Sequence, residues 1–421
     1  MRILLATSAA IPNGGGIASY NLELTRELGS DYSIDLLTDA DEVNVVGYGQ
    51  TFSLYGKKKY SYKFSKSLVS FINANNYHLI INSRSSVIPY IAPFLNAPIV
   101  SVAHFVDGIQ ADNAAYNSKY ISKIIALSYF CRDYLANKFH ILDISRIEVV
   151  YNFVAQTTKQ WSDDKLKSNV MTIVYPGGTS IQKSADVVAD MLKLLLATNL
   201  QFHFIWIGNT LLPSANFSLW GFKRIDQLYN KDSRVSFVGM VSRSDSINYI
   251  ESANIFLLPS RGEGCPMTLL EAMRKGCIPV ISDSKHGSLE LITECSSGVV
   301  VRQGSSVELY NVIKDILENS HKYQDSYKAT YDFAYCKLSQ QKWGKQMREI
   351  IATGIASEKK QIKMTLFNWG CSLVPWRNLL LRHRLKSIIY SITNRIIMDI
   401  LYFKWRILKS LKAYFSIGNN K

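Results

Sequence analysis

Short apolar runs alternate along the chain with stretches whose apolar residues recur every three or four positions. The first pattern suits strands buried on both faces, and the second suits amphipathic helices. In the first part, residues 2–6, 33–38, 78–82, 99–103, 124–128 and 147–151 read as strands, with helices over 17–28, 62–75 and 129–139. Residues 155–168 (AQTTKQWSDDKLKS) are polar and lack periodicity, so they read as a linker. The alternation then restarts. Strands are expected at 172–175, 201–207, 235–238, 255–258, 279–282 and 298–301, and helices at 184–197, 244–252 and 268–275. Alternation of this kind predicts an α/β protein with two doubly wound, Rossmann-like domains, each a parallel sheet covered on both faces. Ligands of such sheets bind outside the strand C-termini, so the site is expected in a cleft between the domains. The expected organisation is a first domain over 1–154, a linker over 155–169 and a second domain over 170–325. A helix returning toward the first domain is expected over 326–352, with a tail over 353–421.

Charge sharpens this picture. The 421 residues carry a formal net charge of +15, but residues 353–421 alone carry +11 (13 Lys+Arg, 2 Asp+Glu), so the body is nearly balanced. The tail partner must therefore be read from the tail. Over 395–415, Ile396, Ile397, Ile400, Leu401, Phe403, Ile407, Leu408, Leu411 and Phe415 share one helical face. Arg395, Asp399, Arg406, Lys409 and Lys412 share the other, with Trp405 among them and Lys404 able to snorkel from the apolar side. Trp369 and Trp376 add aromatic residues further up the tail. A basic face, an apolar face and interfacial aromatics describe a helix lying in an anionic membrane surface; the bland alternative is a helix packed on its own domain or at an oligomer interface. The Ile/Leu content argues against nucleic acid. The run KKKYSYKFSK (57–66) is a second basic, aromatic candidate, or simply a solvated helix face.

The six cysteines are scattered with no C-x-x-C pair, which is neither a zinc nor a disulfide framework and favours a reducing compartment. The apolar start of the chain reads as a first strand rather than a signal peptide. No uncharged apolar run reaches the ~18 residues of a spanning helix. The D-x-D of Asp39-Ala40-Asp41 reads as a surface loop, and no other cluster suggests a metal.

The segment PSRGEGCPMTLLEAM (259–273) carries the chemistry. It follows the apolar run 255–258, which places Glu263 in a glycine-flanked loop at a strand end and Glu271 inside the next helix. Gly262 and Gly264 permit close backbone approach, a helix start near Met267 suits an anion, and two carboxylates suit sugar hydroxyls. An exposed βα loop is the structural alternative. Gly14-Gly15-Gly16 opens the first helix and offers N–H groups to phosphate, but it is not a G-x-G-x-x-G fingerprint.

With its context, PSRGEGCPMTLLEAMRKGCIPVISD resembles the retaining nucleotide-sugar glycosyltransferases of the GT-B fold, the large family with a Glu-x7-Glu motif. RVSFVGMVSRSDSINYIESANIFLLPS (234–260), HGSLELI and SSGVVV (286–301) and four first-domain segments follow the family's order, from residue 1 to about 350. The resemblance implies that Glu263 lies by the donor sugar and that Glu271 binds the nucleotide ribose. Gly264, Cys265, Pro266 and Met267 would form the turn facing sugar and phosphate, and Lys183 would neutralise the diphosphate. His104 would stand near the sugar, and Gly15 and Gly16 near acceptor and phosphates. One position departs from the pattern. The family often has Arg after the first glycine of the loop, here Gly177, and this chain has Gly178. Arg261 and Lys285 are the candidate replacements.

The implied reaction is transfer with retention from a nucleotide diphosphate sugar to a lipid-linked or growing saccharide acceptor. It needs no cofactor and no metal, and a donor phosphate oxygen takes the acceptor proton. By analogy the enzyme would work in surface polysaccharide or lipopolysaccharide synthesis, peripherally, on the cytoplasmic face of the inner membrane. An epimerase or hydrolase of the same fold and a non-catalytic sugar-binding scaffold stay open as alternatives. The sequence leaves the oligomeric state unknown.

Overall fold

The structure is a computed structural model that describes residues 1–9, 15–41, 47–141, 143–153, 170–180, 182–210, 232–383 and 385. The expected linker and the tail residues Arg395, Trp405, Arg406, Lys409 and Lys412 lie outside the described residues, as does Gly14.

The first domain runs β1 (Arg2–Thr7), α1 (Gly15–Leu28), β2 (Ser33–Thr38), β3 (Thr51–Ser53), α2 (Tyr62–Ala74), β4 (Leu79–Ser83), α3 (Ile88–Ile91), β5 (Ile99–Ala103), α4 (Gly108–Ala115), β6 (Lys123–Ala126), α5 (Tyr129–Lys138) and β7 (Ile147–Val149). Its seven strands are parallel, in the order β3-β2-β1-β4-β5-β6-β7. The second domain runs β8 (Met171–Tyr175), α6 (Ala185–Leu196), β9 (Phe202–Ile207), β10 (Val235–Gly239), α7 (Arg243–Ser252), β11 (Ile255–Leu258), α8 (Met267–Arg274), β12 (Ile278–Ser282), α9 (Gly287–Cys295), β13 (Val299–Val301), α10 (Ser306–Glu318) and α11 (Gln324–Lys337). Its six parallel strands take the order β10-β9-β8-β11-β12-β13.

The central strands are apolar on both faces because helices cover both sides: every residue of β4, β5, β11 and β12 is buried. Strand order reverses between β1 and β4 in one sheet and between β8 and β11 in the other. The chain leaves β1, β4, β8 and β11 at these switch points, and β5 next to β4, where ligands of open α/β sheets bind.

After α11, the chain crosses back. Helix α12 (Gln340–Ala356) lays Trp343 against Tyr20 and Phe153, with ring centroids 5.8 and 4.4 Å away. Arg348 pairs with Glu27 (2.9 Å) and Asp31 (2.7 Å) of the α1 region. Gly344 permits this approach, since a Cβ there would lie 2.1 Å from Glu27.

A further helix, α13 (366–383), corrects the reading of the upper tail. Trp376 is 2% exposed and packs beside Tyr116, inside the first domain rather than at an interface. Leu373 is buried next to it. Ser372 donates to the Tyr90 carbonyl (2.7 Å) and receives the Tyr116 hydroxyl on its own carbonyl (2.8 Å). His383 meets the buried Asp112 at 2.8 Å. The chain before α13 is tied down too: Lys359 donates to the carbonyls of Ala92 and Tyr120, and burial lowers its pKa to about 7. Replacing Trp376 with Ala would cost about 3–5 kcal/mol, so this part of the tail belongs to the fold.

Candidate functional site

Lys183 and Glu263 lie 80 positions apart and meet at 2.5 Å. Each stands past a switch-point strand, Lys183 after β8 and Glu263 after β11. The loop around Lys183 is shaped by glycines. Gly178 has φ +52°, and a Cβ on Gly208 would lie 2.8 Å from the Gly178 Cα, so the ends of β8 and β9 touch there. A side chain on Gly177 would strike the Tyr175 ring at 2.1 Å. An arginine at 178 would need a left-handed backbone and a Cβ 3.2 Å from the Asn209 nitrogen. The absent cation therefore matches a close packing of the two strand ends.

Neither replacement cation fills the gap in the same way. Arg261 is gripped by Asp186 through both carboxylate oxygens (2.8 and 2.6 Å). Lys285 is exposed, and no ion pair is found for it among the described residues.

The Glu263 loop is pressed into the first domain. A Cβ on Gly264 would lie 2.3 Å from the His104 carbonyl oxygen. A Cβ on Gly287 would lie 2.3 Å from the Gly264 carbonyl and 3.2 Å from that of Leu127. Asn152 Nδ2 donates to the Cys265 carbonyl at 2.5 Å. Cys265 itself is 3% exposed, and burial pushes its thiol up to about 12, so it contributes backbone and packing rather than a thiolate. Met267 is buried at the start of α8, and the N-cap residue Pro266 offers no side-chain cap to that helix N-terminus. Gly15 (φ +71°) and Gly16 open α1 with exposed backbone.

His104 is buried where β5 ends, and its ring is edge-on to Tyr20 at 4.9 Å. Its Nε2 lies 2.8 Å from Ser83 Oγ, which donates its one hydrogen to Asn21 Oδ1 at 2.6 Å. The serine therefore accepts from the ring, which fixes the Nε2–H tautomer and leaves Nδ1 as the acceptor. Burial, helped by the nearby Arg84 charge, lowers the His104 pKa to about 3, so the ring is neutral at pH 7.

Glu271 bonds Arg243 Nη2 at 3.0 Å. Burial raises its pKa, and the Arg243 charge opposes that. Arg243 also lies 3.9 Å from Glu23 on α1, so one guanidinium spans the two domains beside the expected ribose site. No periodicity or motif singles this arginine out.

Two more groups escape a reading of the sequence. Glu290, in the first turn of α9, accepts the backbone N–H groups of Tyr129 (2.9 Å) and Phe130 (2.7 Å) and the Tyr151 hydroxyl (2.7 Å). It closes the second domain onto the N-terminus of α5. His286 precedes α9 and is fully buried, and neither ring nitrogen has a well-aligned hydrogen-bond partner among the described residues. Burial lowers its pKa to about 4, with Glu263 and Lys183 close enough to pull it in opposite directions. Both residues sit in HGSLELI, whose sequence shows a helix start but not what it faces.

The D-x-D aspartate Asp39 is bound by Ser86 Oγ (2.9 Å) and Lys59 Nζ (3.0 Å). Among the described residues no group of His, Cys, Asp and Glu is placed to hold a metal. None of the helices among them is long and apolar enough to cross a membrane.

Two family models match in succession: Glycosyltransferase Family 4 over residues 14–157 and Glycosyl transferases group 1 over residues 158–333. An uncharacterised glycosyltransferase of Methanocaldococcus jannaschii, MJ1178, is 23% identical over 235 residues, 53% of this chain and 60% of that protein. The amylovoran biosynthesis glycosyltransferase AmsK of Erwinia amylovora is 35% identical over 85 residues, 19% of this chain and 21% of its own. The matched stretches thus span less than two thirds of these relatives. Among solved structures, Anabaena HepE in complex with UDP and glucose superposes with a TM-score of 0.66 at 17% identity, covering 84% of this chain and 100% of HepE. The fold is GT-B.

Proposed function

We propose that this chain, whose fold and family matches are those of a GT-B glycosyltransferase, transfers a sugar with retention from a nucleotide diphosphate donor to a saccharide or lipid-linked acceptor. The observation that carries this reading is the Lys183–Glu263 pair at the second sheet's switch point, roofed by the His104 backbone of the first domain. The pair sets a cation for a departing diphosphate beside a carboxylate for sugar hydroxyls. Neutral His104, with Nδ1 as acceptor, adds a partner for a sugar hydroxyl. The uncapped start of α8 adds N–H groups for phosphate. In retaining transfer of this kind the acceptor hydroxyl attacks the anomeric carbon on the leaving-group face, and its proton passes to a donor phosphate oxygen. No protein base is then required, and the close packing at Gly264 and Gly287 would help keep water from the donor. The UDP in the HepE complex supports a nucleotide donor, and the AmsK match supports a role in surface polysaccharide synthesis.

Membrane association belongs to the same reading. On the outer side of α13, Phe367 (78% exposed), Leu366 (63%) and Val374 (55%) stand among Lys363 and Arg377. Tyr62 of the Lys-rich α2 contacts Trp369 at 5.5 Å, so both basic segments share one side of the first domain. That surface suits an anionic bilayer on the cytoplasmic side, with the basic helix expected over 395–415 adding to it.

The deciding experiment is a panel of nucleotide sugars screened by thermal shift on wild type and Glu271→Ala, followed by NMR assignment of the product anomer. A single donor that stabilises only the wild type, with a product of unchanged anomeric configuration, is expected. No shift with any donor, or an inverted product, would sink the reading.

A further inference from the structure

The first sheet has an arginine at its own switch point that the Lys183–Glu263 account does not use. Arg84 is the first residue after β4, beside His104, whose titration it depresses. Its φ is +64°, a left-handed conformation that costs energy for any residue with a Cβ. The surrounding structure enforces that conformation. Ser8 N–H donates to the Arg84 carbonyl (3.1 Å), Ser85 N–H to Asn82 Oδ1 (2.9 Å), and Asn113 Nδ2 to the Ser85 carbonyl (2.7 Å). Strain held in place by a network of this kind is typical of functional sites.

The side chain is as unusual as the backbone. Arg243, Arg261 and Arg348 all have carboxylate partners. Arg84 is half-buried, and among the described residues no carboxylate, carbonyl or aromatic ring meets its guanidinium. Burial disfavours its charge, and no carboxylate among the described residues offsets that. A desolvated cation without a counter-ion is unfavourable until a ligand supplies one. A guanidinium fork matches phosphoryl oxygens better than it matches sugar hydroxyls. The second domain lacks an arginine at 178 and has Arg261 committed to Asp186, so the cleft is short of the charge that Arg84 brings.

We propose that Arg84 is a phosphoryl-binding residue of the cleft, taking phosphate oxygens of a substrate at the first sheet's switch point. The phosphate belongs either to the donor's diphosphate or to a phosphate carried by the acceptor. The proposal rests on the transferase reading for its substrates.

Full-length wild type, Arg84→Gln, Arg84→Lys and Arg84→Gly would be titrated with UDP, GDP and farnesyl diphosphate, and their melting temperatures measured without ligand. Affinity for at least one diphosphate should fall ~10- to 100-fold in the Gln variant, the scale of one charge-assisted contact, with partial recovery in Lys. The ligand-free Gly variant should melt no lower than wild type, because it sheds both strain and an unpaired charge. Weaker nucleotide binding assigns Arg84 to the donor. A loss confined to farnesyl diphosphate assigns it to the acceptor, even if no nucleotide binds and the donor reading fails. Unchanged affinities, or lower melting temperatures in both Gln and Gly, would overturn the proposal. A wild type indifferent to all three ligands would remove it together with the transferase reading.

Discussion

Removing the Glu290 carboxylate should loosen the closed arrangement of the domains without unfolding either of them. Three groups of the first domain converge on it. The Phe130 N–H and the Tyr151 hydroxyl are partly buried, while the Tyr129 N–H is exposed. A hydrogen bond to a charged acceptor contributes ~1.5–3 kcal/mol net. Taking the two partly buried bonds at the low end gives about 3 kcal/mol, and the exposed one is replaced by water at little cost. The α5 N-terminal dipole adds ~0.5 kcal/mol. In Glu290→Ala the closed form should lose about 3.5 kcal/mol, a factor of several hundred in the closed-to-open ratio. Helix α5 itself survives, because Ser128 Oγ still accepts the Cys131 N–H. Glu290→Gln should lose about half as much, since its amide oxygen accepts without charge. The assay is hydrogen exchange at the Tyr129 and Phe130 amides together with donor KM and kcat. Exchange there should speed up by roughly two decades or more in the Ala variant, by the same arithmetic, while core amides of β4 and β11 stay protected. Unchanged exchange at both amides, with kinetics within about twofold of wild type, would refute the latch.

Lys183→Ala and Glu263→Ala should each lower kcat/KM by ~10² or more, measured by donor turnover at saturating acceptor. Glu263 is 5% exposed, so Lys183→Ala alone should also melt lower than the Lys183→Ala/Glu263→Ala pair; the reverse order would argue against the ion pair. His104 and His286 titrate near pH 3 and 4 when folded and near ~6.5 when unfolded. Between those values the unfolded chain binds the extra protons, so stability is complete above pH ~6.5 and falls as pH drops, by ~2 kcal/mol per ring at pH 5. Urea unfolding at pH 7 and pH 5 reads this, and His286→Gln should remove about half the slope; an identical slope would contradict the burial of a neutral ring. Truncation after residue 385 should release the protein from phosphatidylglycerol vesicles with its melting temperature intact, whereas truncation after 363 should also destabilise it, because Leu373 and Trp376 are core residues. Full vesicle binding by the chain ending at 385 would move the anchor to α2 and α13.

Most elements were legible along the chain because parallel strands covered on both faces leave uninterrupted apolar runs. The runs at 33–38, 99–103 and 255–258 coincide with β2, β5 and β11. Short elements with weak local patterns were not legible. Strand β3 has only three half-buried residues, and α4 holds Asp112 and Asn113 inside, against any simple rule of polarity. The upper tail misled for a related reason: Trp376 has the same composition signature whether its apolar partner is a bilayer or Tyr116.

The sequence alone determined the two sheets, the loop bearing Glu263 and the helix bearing Glu271, since these depend on local period and on spacing within one segment. Only the tertiary structure decided what meets across the cleft. Lys183 reaches Glu263, Arg243 bridges Glu271 and Glu23, Glu290 caps a helix of the other domain, and Arg84 meets no carboxylate among the described residues. Each of these facts joins residues tens to hundreds of positions apart, or depends on a partner being absent. Local pattern is silent on such pairs, because the energy of a charge is set by what surrounds it in space.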